Sequence, residues 1–525
     1  MSGTSPDDPS YRWMVLGVVM VGTVMSALDA SIVNVALPNI MASFGANVDQ
    51  IEWVVTGYML GFSTFMPLTA WLRERVGYRT LYMSSLGVFT VGSVLCGLAP
   101  NLTTLVIARV IQAFGGGAIT PTGMALIAEV FPPRERGRAL GYWGVGVILG
   151  PAIGPTLGGY LTEIFGWRSI FNINLPVGVI ALVAAGRVLH REAAGASRGR
   201  PFDFPGFVLL SSFLVTALLA LSNGNHEGWT SHYVVTCAIL SAVSLALFLA
   251  VESVVGEGIL DLGLFKNTQF SVALVVTGAR SIALYGGTFL LPLFLQQYMG
   301  RSEVEAGLLL LPGALVIGAM MPIAARIAER TGPRLPTLVG LLLTALFMWM
   351  YRRLDVTTST WDVLLPTLIR GVGLGLLITP VMTAAMNAVP TQKAGMASSM
   401  LSLTQQVAGS LGIAILASVL GHRATFHRAV VGESLHADSP AFFQATHELA
   451  ARALELGAAP RSALLLGQSL VGRHAMVSAG VLSFNDAFLV GAAVVLLGVV
   501  PALWLRDVAR VSNAPAEGNE VHALE

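Results

Sequence analysis

The sequence predicts an all-helical protein that crosses a membrane fourteen times, as two six-helix halves with an extra helix pair between them. Three observations carry this. The 525 residues are 54% hydrophobic and only 11% charged, with a mean hydropathy of +0.72, whereas soluble globular chains carry roughly 25% charge. Apolar runs of bilayer-spanning length, roughly 20 residues for a helix, recur along the chain. A charged turn after the second run, ERVGYR at Glu74 to Arg79, returns after the tenth as ERTGPR at Glu329 to Arg334.

In order, the spans are expected near 13–37, 53–72, 80–98, 103–125, 139–162, 169–189, 205–222, 232–253, 270–298, 304–325, 335–351, 362–388, 397–420 and 484–505. Several are rich in glycine, which lets helix backbones approach closely in a membrane. The repeated turn divides them. Residues 1–12 form a cytoplasmic tail, 13–189 the first half, 190–204 a linker, 205–253 the inserted pair, 254–269 a second linker, 270–505 the second half and 506–525 a cytoplasmic tail. Parallel halves with a site near the bilayer midplane are the architecture of a rocking secondary transporter.

Basic residues set the expected orientation. With the N-terminus cytoplasmic, the inward loops hold Arg73, Arg75, Arg79, Arg134, Arg136, Arg138, Arg187, Arg191, Arg198, Arg200, Lys266, Arg326, Arg330, Arg334 and Lys393. The outward loops hold only Arg168, Arg301, Arg352 and Arg353. Fifteen against four satisfies the positive-inside rule and requires an even number of spans. Arg506 and Arg510 again fall inside. The opening MSGTSPDDPSYR has no cleavable-signal pattern, so the first span is expected to serve as its own insertion signal and to remain.

The last outward loop, 421–483, is long and contains amphipathic patterns around 442–456 and 462–476, with apolar residues at helical spacing. It reads as a helical hairpin over the outer mouth, as a docking surface, or as a solvated loop with incidental helix. Cys96 and Cys237 both lie in apolar runs and read as small buried hydrophobes, not as a disulfide. A net charge of +1 gives no nucleic-acid reading.

Four ionisable residues are read within the spans: Asp29, Arg109, Arg280 and Arg370. A carboxylate in hydrocarbon costs roughly 2.5–3.5 kcal/mol on insertion scales, and intramembrane charges mark function or pair with one another. Asp29 is eight residues from the outer end of its span, ~12 Å at 1.5 Å per residue, and Arg109 is ~9 Å in by the same rise. Opposite charges at similar depth are natural partners, directly or through Gln112. Two readings follow: an Asp29 that binds and releases a proton as the pair opens and closes, or a neutralised pair that only holds two helices together. Coupling requires Asp29 to hold its proton differently when paired and when desolvated without its partner. No carboxylate is read in the second half, where Arg280 and Arg370 have three readings: snorkelling, binding backbone carbonyls, or attracting an anionic substrate group. The candidate cavity residues are Asp29, Asn34, Gln112, Arg280, Gln296 and Arg370. In span 5, Gly141, Gly150, Gly154, Pro155, Gly158 and Gly159 make a small-residue groove, and Pro155 removes one backbone bond and permits a kink.

LDASIVNVALP in span 1, ARVIQAFGGG in span 4 and the Gly-Pro pattern of span 5 resemble the drug:proton antiporters of the major facilitator superfamily. Fourteen spans with an acid in the first are similar to its EmrB/QacA branch. WRSIFNINLPVG, LDLGLFKNTQF, LPLFLQQYMG and SFNDAF after a long outward loop are closest to EmrB-type exporters. The resemblance implies that Asp29 is the coupling carboxylate, Arg109 the arginine tied to proton transfer, and the span-5 glycines with Pro155 an antiporter motif that limits leak. It implies cytoplasmic gating loops at Glu74, Arg75, Gly77 and Arg79, which pass to Glu329, Arg330, Gly332 and Arg334 through the internal repeat. The gating motif departs from the family pattern at Ala70 and Glu74, where glycine and aspartate usually stand. QacA-like pumps for dications carry further acids in later spans, which are not read here. Neutral, anionic or weakly amphipathic toxins therefore fit better than dications. The resemblance also implies the inner membrane of a bacterium, with a periplasmic adaptor and an outer-membrane channel as possible partners.

No cofactor is expected. One charge crossing 100 mV yields ~2.3 kcal/mol, and each pH unit adds ~1.4 kcal/mol, enough to drive export. No Gly-rich Lys-Ser/Thr nucleotide loop is seen. An intramembrane enzyme is disfavoured because all nine histidines fall in loops, tails or span ends. A channel is disfavoured by the lack of a filter motif. The alternative that keeps the fold is a dedicated exporter of one endogenous metabolite, siderophore, antibiotic or lipid.

Overall fold

The computed structural model describes residues 9–190, 202–255, 258–434 and 440–506. Arg191, Arg198 and Arg200, both terminal tails beyond residues 9 and 506, and Arg510, His436 and His522 lie outside the described residues. The described chain is helical throughout, with no strand. The helices are α1 (Pro9–Phe44), α2 (Val48–Phe65), α3 (Leu68–Leu98), α4 (Leu102–Val130), α5 (Pro133–Phe165), α6 (Ser169–Asn172) and α7 (Asn174–Val188). The pair α8 (Phe204–Asn223) and α9 (His232–Val255) follows. Then come α10 (Thr268–Gln297), α11 (Glu303–Thr331), α12 (Arg334–Met350), α13 (Thr360–Asn387), α14 (Ala394–Ser434), α15 (Pro440–Glu455), α16 (Pro460–Leu497) and α17 (Val499–Ala502).

Among the described residues, thirteen helices are long and apolar enough to cross a membrane. One of them, α3, is broken at Gly77, whose φ of 75° and ψ of 164° lie outside the helical region. Such a conformation is open essentially to glycine alone. The stretch before Gly77 continues α2 as one crossing, and the stretch after it is the next, which makes fourteen.

The internal repeat extends beyond the charged turn. Gly332 separates α11 from α12 with φ 80° and ψ 168°, nearly the conformation of Gly77. Gly45 and Gly300, both at positive φ, close the first helix of each half. Two residues on, Asn47 and Ser302 each open the next helix with a capping box, to Gln50 and Glu305 respectively. The same number of residues separates the members of each pair, so the two halves share one framework.

The halves meet at the end that carries Gly77 and Gly332. Thr69 Oγ1 and Ser399 Oγ are 2.7 Å apart and buried. Arg136 donates to Asn387 Oδ1 at 3.1 Å and to Thr391 Oγ1 at 3.4 Å. Asn387 Nδ2 donates in turn to the Pro133 carbonyl at 3.4 Å at the same end. The inserted α8 packs on α9 and touches both α2 and α14, and so bridges the halves on one side.

Three sequence expectations change. The first span does not end at 37, because α1 runs through Pro38 to Phe44. A proline interrupts only one rung of a long helix. Asp29 thus stands fifteen residues, ~22 Å of helix rise, from that end, deeper than the apolar run implies. Second, Asp29 is not the only carboxylate in the spans. Glu252, buried in α9, accepts from the Leu260 N–H at 2.7 Å. Asp486 in α16 accepts from Arg423 Nε at 2.5 Å and lies 2.7 Å from His427 Nε2, so the second half is not free of acid. Both escape a reading of apolar runs because they stand near span ends and collect local donors. Third, 421–483 is mostly helix: α14 continues to Ser434, α15 forms, and α16 begins at Pro460. The expected amphipathic stretches are α15 and the first turns of α16, which pack through Ala450, Ala453 and Ala463. Cys96 and Cys237 are both free and buried, as expected.

Candidate functional site: a buried Asp29–Arg109 pair and two unpaired arginines

In the first half, α1 brings Asp29 against α3, α4 and α7. Arg109 and Gln112, three residues apart on α4, share a helix face and both reach the carboxylate. Arg109 Nη1 donates to Asp29 Oδ2 at 2.6 Å, and Gln112 Nε2 donates to Oδ1 at 2.8 Å. Oδ1 also accepts from Asn174 Nδ2 at 2.8 Å. Asp29 is 0% exposed and Arg109 is 1% exposed.

A second ring of bonds fixes these donors. Arg109 Nη1 also donates to Gln112 Oε1 at 2.7 Å, and Arg109 Nε donates to the Val54 carbonyl at 3.3 Å. Ser93 Oγ accepts from Gln112 at 2.6 Å and from Asn174 at 2.8 Å. The Arg109 guanidinium lies 4.0 Å from the Tyr58 ring centroid, where a cation gains from the π face. Gly92 makes the approach of α3 to α4 possible, since a Cβ there would fall 2.6 Å from Gln112 Cα. The sequence identifies Asp29, Arg109 and Gln112 but misses Asn174, Ser93 and Tyr58. Asn174 was visible as an amide inside the apolar WRSIFNINLPVG segment. Ser93 and Tyr58 carry no signal that separates them from packing residues.

The span-5 residues divide between two neighbours. Gly150 and Gly158 press against α1: Cβ atoms there would meet Ala27 Cβ at 2.6 Å and the Ile32 side chain at 2.7 Å. Gly154 meets Ser31, whose Oγ donates to the Gly150 carbonyl at 3.2 Å. Gly159 only grazes Val35, at 4.0 Å. Gly141 instead faces Met321 and Pro322 of α11, at 3.1 Å. Thus α5, continuous across Pro151 and Pro155, touches both the turns that flank Asp29 and the other half of the molecule.

The two charged turns differ. Arg79 donates to the Gly186 carbonyl at 2.8 Å, and Arg73 lies 3.9 Å from Glu129 and over the Tyr78 ring. Arg75 stacks on Trp71, and Glu74 also has a partner. In the second turn the side chains of Glu329, Arg330 and Arg334 are exposed. Asn34 and Gln296 are exposed as well and do not join the Asp29 cluster.

Arg280 and Arg370 lie in the second half, apart from Asp29. Arg280 on α10 donates to Gln405 Oε1 of α14 at 3.1 Å. Arg370 on α13 donates to the Leu284 carbonyl at 3.2 Å and to Thr288 Oγ1. They are 5% and 7% exposed, and no carboxylate pairs with either among the described residues.

Comparison with known proteins agrees with this architecture. The family model described as Major Facilitator Superfamily matches residues 19–413. A protein named multidrug resistance protein B homolog, from Mycobacterium tuberculosis, is 36% identical over 411 residues, 78% of this chain and 76% of its own. The tetracenomycin C resistance and export protein of Streptomyces glaucescens is 31% identical over 515 residues, 96% of this chain and 94% of its own. Among solved structures, the human organic anion transporter MFSD10 matches 94% of this chain and 100% of its own with a TM-score of 0.60. Its 15% identity makes it a likeness of fold alone. The chain belongs to the major facilitator superfamily and is a membrane transporter, not an enzyme.

Proposed function

We propose that this transporter exports small amphipathic, drug-like compounds across the cytoplasmic membrane in exchange for protons, by alternating access. The observation that carries the reading is the Asp29–Arg109 pair, an acid and its guanidinium partner buried together among the membrane-spanning helices. A guanidinium holds a carboxylate in its charged form, and a carboxyl that loses that partner while staying desolvated takes up a proton. Opening and closing the pair therefore moves a proton. Asp29 is covered on every side in this conformation, so substrate does not touch it here.

The helix α5 supplies a route for coupling. It packs on Ala27 and Leu28 beside Asp29 and on Met321 of the opposite half, so rocking of the halves displaces the wall against which Asp29 is held. With the arginine-rich turns and both termini cytoplasmic, as the positive-inside rule requires, the described conformation is the one closed toward the cytoplasm. The helices α15 and α16 then project outward. With the turn between them they expose Phe443, Leu456, Leu465 and Met476, a surface suited to a periplasmic adaptor leading to an outer-membrane channel.

A second reading keeps the mechanism and narrows the substrate to one endogenous product. It draws support from the Streptomyces relative, whose name gives a single compound, tetracenomycin C. Substrate-dependent proton release from purified protein, over a chemically varied panel, tests both. Release with many compounds supports the multidrug reading, release with one supports the dedicated exporter, and no release with any removes proton antiport.

A further inference from the structure

The internal repeat shows where the two halves differ. Leu284 stands as far before Gly300 as Asp29 stands before Gly45. Arg370 stands as far beyond its helix cap, Ser359, as Gln112 stands beyond Asn101. By the same count Thr367 takes the place of Arg109. In the first half the residue from α4 reaches the carboxylate of Asp29. In the second, the residue from α13 is an arginine, and what it reaches is the main-chain carbonyl of Leu284. The second half has no carboxylate at this position, and a cation stands where the first half has a neutral amide.

Arg280 adds a second cation. Arg280, Leu284 and Thr288 recur every fourth residue along α10 and so form one stripe on its face. Arg370 binds the last two, so both guanidiniums lie along that stripe. Each keeps a buried Nε with no hydrogen-bond partner among the described residues. Arg280 is twelve residues into α10, ~18 Å of helix rise, too deep to snorkel to a headgroup phosphate. Two desolvated cations without an anion are costly to hold. Guanidinium groups match carboxylates in shape and donor geometry. The stripe is not sealed: Thr288 is exposed, and Gln405 and Tyr285 are only partly covered. Phe347, a buried core ring, lies 5.7 Å from Arg370.

We propose that Arg280 and Arg370 together form the substrate site of the second half, and that it takes an amphipathic organic anion, a carboxylate on an apolar body. This rests on the exporter reading above and deepens it by naming the substrate class. The anion supplies the charge that Asp29 supplies in the first half. The two halves thereby divide the work, with the proton at Asp29 and the substrate at the arginines.

The test uses purified full-length protein in lipid nanodiscs and three probes of one shape: 2-naphthoate, neutral 2-naphthamide and 2-naphthylmethylammonium. Titration calorimetry is expected to show naphthoate binding at least ~10-fold tighter than the ammonium, a modest charge-assisted difference. Arg280→Gln and Arg370→Gln should each weaken naphthoate by ~10-fold or more and leave naphthamide within ~2-fold. Arg280→Lys and Arg370→Lys, which keep the charge, should retain the preference for naphthoate and guard against misfolding. Naphthoate binding that is absent, no tighter than the ammonium, or unchanged in the glutamine variants overturns the proposal, as does equal loss of all three probes. Proton release recorded in the same titrations reads the antiport mechanism separately. Naphthoate binding without release keeps this site and removes the coupling, and release without charge preference does the reverse.

Discussion

Neutralising Asp29 and Arg109 together should cost clearly less than the two single substitutions summed. In Asp29→Asn, the Arg109 guanidinium stays 1% exposed with no anion, and one of the three donors now on the carboxylate faces an NH2 group instead of an oxygen. Removing one member of a buried pair costs about 3–5 kcal/mol. Arg109→Gln strands the carboxylate and should cost a similar amount. The double variant strands no charge and leaves amides that bond to one another. Its loss should fall short of the sum of the singles by at least ~2 kcal/mol, within the range seen for groups in one network. The assay is reversible unfolding in mixed micelles, followed by helical circular dichroism, for wild type, both singles and the double. Additive losses to within ~0.5 kcal/mol would refute the claim that these two groups form one electrostatic unit.

Other consequences can be checked in the same preparations. Asn174→Leu removes a donor from Asp29 Oδ1 and should cost ~1–3 kcal/mol, the penalty for a buried acceptor left short of a partner, read by the same unfolding assay. Gly150→Val puts a side chain where Ala27 already sits 2.6 Å from the Cβ position, and should abolish transport in proteoliposomes while folded protein is still recovered. Deletion of 440–476 should leave transport in inverted vesicles intact and remove co-purification with an adaptor; retained adaptor binding would refute that role for the projection.

The fold was legible because its signals are long and redundant. Fourteen apolar runs, glycine at helix contacts and the arginine bias each point the same way, and the echo of Glu74–Arg79 in Glu329–Arg334 locates the second half. The partners Asp29 and Arg109 were legible because few charges lie in hydrocarbon, and two opposite ones at similar depth have little choice. The rest of the site was not legible, for physical reasons. Ser93 and Tyr58 are ordinary packing residues until a fold brings them beside a carboxylate. Asp486 meets Arg423 and His427 across α14 and α16, a pairing of residues distant in sequence. Length was misjudged where the apolar run was read to end at Leu37: α1 continues through Pro38 to Phe44. Asn34 and Gln296, named for the substrate cavity, are exposed and stand apart from the Asp29 cluster.

The measurement that bears most directly on the central claim compares wild type with Asp29→Asn in proteoliposomes carrying an imposed pH gradient, using substrate that is also assayed by exchange at equal pH on both sides. Loss of gradient-driven accumulation, with the pH dependence of any remaining exchange abolished, is the predicted result. Accumulation by Asp29→Asn with the wild-type pH dependence would contradict it and leave the Asp29–Arg109 pair as a lock between two helices.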